Sequence, residues 1–94
     1  MTLNVLIIDD EPAIRQVLSV FLTKASYSVE QAANGMLALE RLAKGDIDVA
    51  LCDISMPVMN GIDVIKQARA SGIDTSFIMM TAFASIDNAI DAMK

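Results

Sequence analysis

A chain of 94 residues holds one small domain with a single core, and at 54% apolar residues it lies outside the disordered class. Its net charge of −5, with seven scattered cations, argues against binding a nucleic-acid backbone, which takes several cations together. No apolar run approaches the ~18 residues that span a membrane, and without histidine the chain has no Ser–His or Cys–His catalysis of its own.

Strand-like and helix-like segments then alternate. Leu3 to Ile8 reads as a short, wholly buried strand that runs into Asp9, Asp10 and Glu11. Pro12 fits the first turn of a helix, where a missing N–H does no harm. Ile14, Val17, Leu18, Phe21, Leu22 and Ala25 make the i, i+3, i+4, i+7 stripe of its inner face. Tyr27 to Ala32 is shorter and more polar, as an edge strand would be. Asn34-Gly35 turns into a second helix with Met36, Leu39, Leu42 and Ala43 inward, ending at Lys44-Gly45. Val49 to Cys52 is another apolar run and delivers Asp53 at its end. A loop from Ile54 to Asn60 leads to Gly61 and a third helix with Ile62, Ile65 and Ala68 inward, closed by Ser71-Gly72. Phe77 to Met80 is a fourth strand ending at Thr81, and Ser85 caps a fourth helix carrying Ile86, Ala89, Ile90 and Met93. This alternation predicts an α/β domain with a parallel sheet between helices.

Cys52, inside an apolar run, reads as a buried structural thiol, and a lone cysteine excludes a disulfide framework. The Met1 end has no signal-peptide pattern, so the expectation is a soluble, cytoplasmic module.

Chemistry gathers at three strand ends: Asp9 and Asp10 after the first, Asp53 after the third, Thr81 after the fourth. An aspartate after a strand is often only a helix cap. Three such groups at equivalent places, on the sheet edge where open α/β folds bind ligands, point to a site. Carboxylates ~4 Å apart repel by about 4 kcal/mol per pair at an effective dielectric near 20. A hard divalent cation relieves that repulsion, and magnesium suits one or two carboxylates combined with a phosphate. An aspartate can accept a phosphoryl group covalently, and a threonine hydroxyl can hydrogen-bond it.

The segments LIIDDEPAIR, VALCDISMPVMNGIDVI and FIMMTAFAS together resemble the receiver domain of two-component response regulators, and the similarity runs through all 94 residues. The resemblance implies a flavodoxin-like open parallel sheet of strand order 2-1-3-4, with the site at its switch point. It implies that Asp53 accepts a phosphoryl group from a partner sensor histidine kinase. Asp9 and Asp10 would hold Mg2+, one of them through water, with Asp53 and the backbone carbonyl of Ser55 as further ligands. Thr81 would be the switch hydroxyl, with small Ala82 leaving it room and Phe83 where such domains vary in phosphate lifetime. Pro57 and Gly61 would shape the loop beneath. Glu11 is left to the helix start, where negative charge suits the dipole. The domain would be an acceptor and not an enzyme with turnover on an external substrate.

Receiver domains also carry a fifth strand ending in a lysine. Lys94 stands 13 residues past Thr81, inside the fourth helix, and is not that lysine. Residues 1–94 therefore read as a receiver domain without strand five and helix five. That predicts an open strand-four edge, thin packing for Ile14, Val17, Leu18 and Phe21, and a homo-oligomer formed at that edge or by exchange of elements. The ending IDNAIDAMK resembles receivers of enhancer-binding transcription activators.

Rival readings leave different traces. Asp46-Ile47-Asp48-Val49 spells the D-x-D-x-V of haloacid-dehalogenase-like phosphatases, but ahead of its strand. A flavodoxin-type flavin carrier needs a hydroxyl- and glycine-rich loop where this chain has carboxylates. A non-phosphorylatable interaction fragment that self-associates is the remaining alternative.

Overall fold

Among the described residues seven elements follow in the expected order: β1 (Asn4–Ile8), α1 (Pro12–Lys24), β2 (Ser28–Ala32), α2 (Gly35–Ala43), β3 (Val49–Asp53), α3 (Gly61–Ala70) and β4 (Ser76–Met80). The computed structural model describes residues 2–80, so Thr81, Ala82, Phe83, Lys94 and the expected fourth helix lie outside the described residues.

The strands form one parallel sheet in the order β2-β1-β3-β4. Chain progression reverses between β1 and β3, which makes the gap beyond their carboxyl ends the switch point. In that pair Ile8 is level with Cys52, so the residues that follow, Asp9 and Asp53, stand side by side at the carboxyl end of the sheet. Among the described residues β4 pairs only with β3, and Asp53 lies level with Met80.

Side chains alternate across the sheet. Leu6 and Ile8 join Ala50 and Cys52 against α2 and α3 in the main core. Leu6, Ile7 and Ile8 have no exposed surface. Such complete burial stabilises by about 1.5–3 kcal/mol per large aliphatic side chain. Leu3, expected within this buried strand, lies outside it and is 45% exposed.

On each of the three described helices part of the expected inner face is inward and part is not; Leu42 and Ala68 are buried and Leu39 half-buried as expected. On α2 the buried positions are Gly35, Ala38 and Leu42, while Met36 is 65% exposed. A Cβ on Gly35 would fall 2.7 Å from Met59 Sδ, so α2 lies close to the loop after β3 and small residues face inward. Ala43 is also exposed. On α3 the buried set is Gly61, Val64 and Ala68, with Ile65 half-buried and Ile62 exposed. On α1 only Ile14, Leu18 and Leu22 of the stripe are half-buried. Val17 and Phe21 are exposed, Phe21 by 70%, and Ala25 is the exposed C-cap. Helix α1 packs over β1 and β2, so the side of its stripe away from them overhangs. Beside it an apolar groove of about 180 Å³ opens on the sheet, lined by Val5, Leu22, Tyr27, Leu51 and Ile78 among others.

Candidate functional site

The strand register places Asp9, Asp10 and Asp53 together at the carboxyl end of the sheet. One oxygen from each lies within 4.8 Å of the others. Asp9 is buried and fully engaged along its backbone. Its N–H donates to Ala32 O at 3.2 Å, continuing the ladder with β2. Its Oδ1 accepts the Glu11 N–H at 2.9 Å, and its carbonyl accepts Arg15 Nη1 at 2.7 Å. Asp10, next in the turn, is exposed. Glu11 occupies the N-cap of α1 by position, without a side-chain cap bond. The helix start instead takes its order from the Asp9 carboxylate and from Pro12 at N1.

Asp53 is 2% exposed. The Ser55 N–H donates to its Oδ1 at 3.0 Å, which fixes the carboxylate's rotation and leaves its other oxygen without a backbone donor among the described residues. Beneath it, Gly61 N–H donates to Ile54 O at 3.0 Å. A Cβ on Gly61 would meet Asp53 O at 2.5 Å and Met79 Cε at 2.7 Å. Glycine there is a matter of space: the start of α3 is drawn against the backbone that carries Asp53. Asn60 holds that helix start with a capping box, its Oδ1 accepting from Asp63 N–H and its own N–H donating to the Asp63 carboxylate. Pro57 is exposed in the intervening loop, where Val58 has φ +69°.

Burial pushes the Asp53 carboxyl above the ordinary aspartate range, and the charges of Asp9 and Asp10 push the same way against the Ser55 N–H. The neighbouring Cys52 thiol is pushed up to about 12 by burial, then by Asp53 and Asp9. It is a buried free thiol, as its apolar setting implies. The donor set is all oxygen, compact and anionic, and open to solvent at Asp10. That is the chemistry of a hard divalent cation that keeps some of its waters, and the three carboxylates fit magnesium on those grounds.

Asp9, Asp10 and Asp53 are thus brought together. Ser55 is adjacent, with its N–H toward Asp53. Thr81 lies outside the described residues. Asp46 and Asp48 sit at the opposite end of the sheet: Asp48 Oδ2 accepts Asn4 N–H at 2.8 Å, and Asp46 O accepts Asn4 Nδ2 at 2.8 Å. This separates the D-x-D-x-V segment from Asp53 by the length of β3. Arg15 is the residue that sequence reasoning missed. Its signal was present: a cation in the first turn of a helix, where the dipole disfavours it, calls for a local partner.

Residues 5–94 match the family model described as the response regulator receiver domain. The chain is 38% identical over 91 residues to the regulatory protein AtoC of Escherichia coli (strain K12), a match covering 97% of this chain and 20% of that protein. The chain spans between 20% and 39% of the length of the curated relatives it matches. Among solved structures it is similar to the chemotaxis protein CheY4 of Vibrio cholerae, with TM-score 0.84 and 35% identity over 99% of this chain and 79% of that one. It is also similar to the response regulator protein TrrA of Thermotoga maritima, crystallised in complex with Mg(2+)-BeF. There the TM-score is 0.82 and the identity 31%, over 99% of this chain and 80% of that one.

Proposed function

The chain belongs to the response regulator receiver domain family, and from that premise we propose that it is a phosphoacceptor module of two-component signalling, with Asp53 as the acceptor. The observation that carries the proposal is the cluster itself: a buried Asp53 held by the Ser55 amide, within 4.8 Å of Asp9 and Asp10 at the switch point. An Asp53 carboxylate oxygen attacks the phosphorus of a phosphohistidine on a partner sensor histidine kinase. The P–N bond breaks, the imidazole leaves with the bonding pair and takes a proton, and an acyl phosphate forms on Asp53. Asp53 is used up in that transfer and turns over no external substrate. Asp9, Asp10 and Asp53, with the Ser55 carbonyl, would hold magnesium, which offsets charge on the phosphoryl oxygens when bound. The magnesium in the TrrA structure supports this assignment. Thr81, the residue that follows β4 in the sequence, would hydrogen-bond the phosphoryl group. Incubation with magnesium and acetyl phosphate should add the mass of one phosphoryl group, and Asp53→Asn should remove that gain. An equal gain in Asp53→Asn would refute the assignment.

The exposed Val17 and Phe21, the apolar groove lined by Leu22 and Ile78, and a β4 edge that is unpaired among the described residues support a second part of the proposal: two copies associate across these surfaces. A dimeric mass at tens of micromolar is the expected result in sedimentation, and a monomer there contradicts it. The site belongs with the module in the cytoplasm, where its kinase partner would deliver phosphate.

A further inference from the structure

Arg15 is held against the backbone of Asp9 yet pairs with no carboxylate, since the single ion pair among the described residues is Arg41–Glu30. It instead donates from Nη1 to the Asp9 carbonyl at 2.7 Å and from Nε to Gln31 Oε1 at 3.3 Å. The guanidinium therefore ties α1 to the end of β1 and to β2. Because the peptide unit is planar, holding the Asp9 carbonyl also fixes the plane that carries the Asp10 N–H and Cα. The Asp9 N–H and Oδ1 are already held by Ala32 and Glu11. The Arg15 bond thus secures the one backbone group of Asp9 that sets where Asp10 begins. Asp10 is the exposed member of the cluster and needs that help most, having no neighbouring strand to hold it.

We propose that Arg15 is a positioning residue for the Asp9–Asp10 pair, acting through the Asp9 carbonyl, so that both carboxylates are held ready for a divalent cation. The proposal rests on the metal reading above. It has a sign that charge alone would not give. Removing a cation beside an anionic pocket should strengthen cation binding by simple electrostatics. Removing a support that orients the ligands should weaken it, typically by tenfold or more.

The experiment is a calorimetric titration of the whole chain with magnesium chloride, for wild type, Arg15→Ala and Gln31→Ala. Amide NMR of the metal-free proteins accompanies it. The expected result is magnesium binding by wild type, on the order of tenfold weaker binding by Arg15→Ala, and a smaller loss in Gln31→Ala, which frees only one arm of the guanidinium. The Asp10 amide signal should already move in metal-free Arg15→Ala. Equal or tighter binding by Arg15→Ala overturns the positioning role while leaving the metal reading intact. If wild type itself binds no magnesium, both fall. Should Arg15→Ala fail to fold, Gln31→Ala decides the matter, and unchanged affinity there overturns the proposal.

Discussion

The two ends of one sheet each carry aspartates, and they are built in opposite ways. At the amino end, Asp48 receives the Asn4 N–H and the Asp46 carbonyl receives the Asn4 amide, so each acidic segment meets a donor. Asp46 itself adopts φ +75°, directly after Gly45 at φ +85°. Nearby, Thr75 Oγ1 donates to Ile47 O at 2.9 Å. At the carboxyl end Asp9, Asp10 and Asp53 face one another, and the donors supplied by Glu11 and Ser55 satisfy only part of their oxygens. The same residue type is a latch in one place and a waiting ligand set in the other. Both ends have N–H donors; what separates them is that at the carboxyl end three carboxylates also crowd within 4.8 Å of one another.

Substitutions at the two ends should therefore fail in different ways. The largest effect on stability is expected at Gly61, where a methyl group would press on Asp53 O and Met79. Gly61→Ala should lower unfolding stability by about 1–3 kcal/mol in denaturant titration, and should also weaken phosphorylation by displacing Asp53. Asp48→Ala should lose ~1 kcal/mol with its hydrogen bond to Asn4 and leave acetyl phosphate labelling intact. If labelling fell as much in Asp48→Ala as in Gly61→Ala, the distinction between the ends would collapse.

The smallest expected effect is a pH trend. The folded-state pKa of Asp53 is raised, so the metal-free native protein holds its proton at pH values where the unfolded chain has lost it. In that window, from the ordinary aspartate pKa up to the raised value, stability should decline as pH rises. Asp53→Asn should flatten that trend, and thermal unfolding at a series of pH values without divalent cations would show it. A wild-type trend that persists unchanged in Asp53→Asn would assign it to other groups.

Much of this difference was legible in the chain. The apolar runs of β1 and β3, each delivering an aspartate, indicated both the parallel sheet and the acidic cluster, because buried parallel strands need continuous apolar sequence. The helix faces were less legible. Met36 and Ile62 attract attention by size, yet Ala38 and Val64 face the core, since close approach of a helix to its neighbours favours smaller side chains. On α1 the stripe was visible, but the overhang of Val17 and Phe21 depends on where the helix crosses the sheet. Arg15 carried a signal by its place in the first turn of α1, but which group it holds, the Asp9 carbonyl, is set only once the turn after β1 has closed. Ser55 could be placed next to Asp53 by spacing alone, but its N–H bond to the carboxylate needed the loop geometry.

The most direct test of this contrast is a magnesium titration followed by two-dimensional amide NMR on the whole chain. The account predicts saturable shifts at Asp9, Asp10, Asp53, Ile54 and Ser55, with Asn4, Asp46 and Asp48 unmoved. Shifts of equal size at Asp46 and Asp48, or none at Asp9, Asp10 and Asp53, would contradict it.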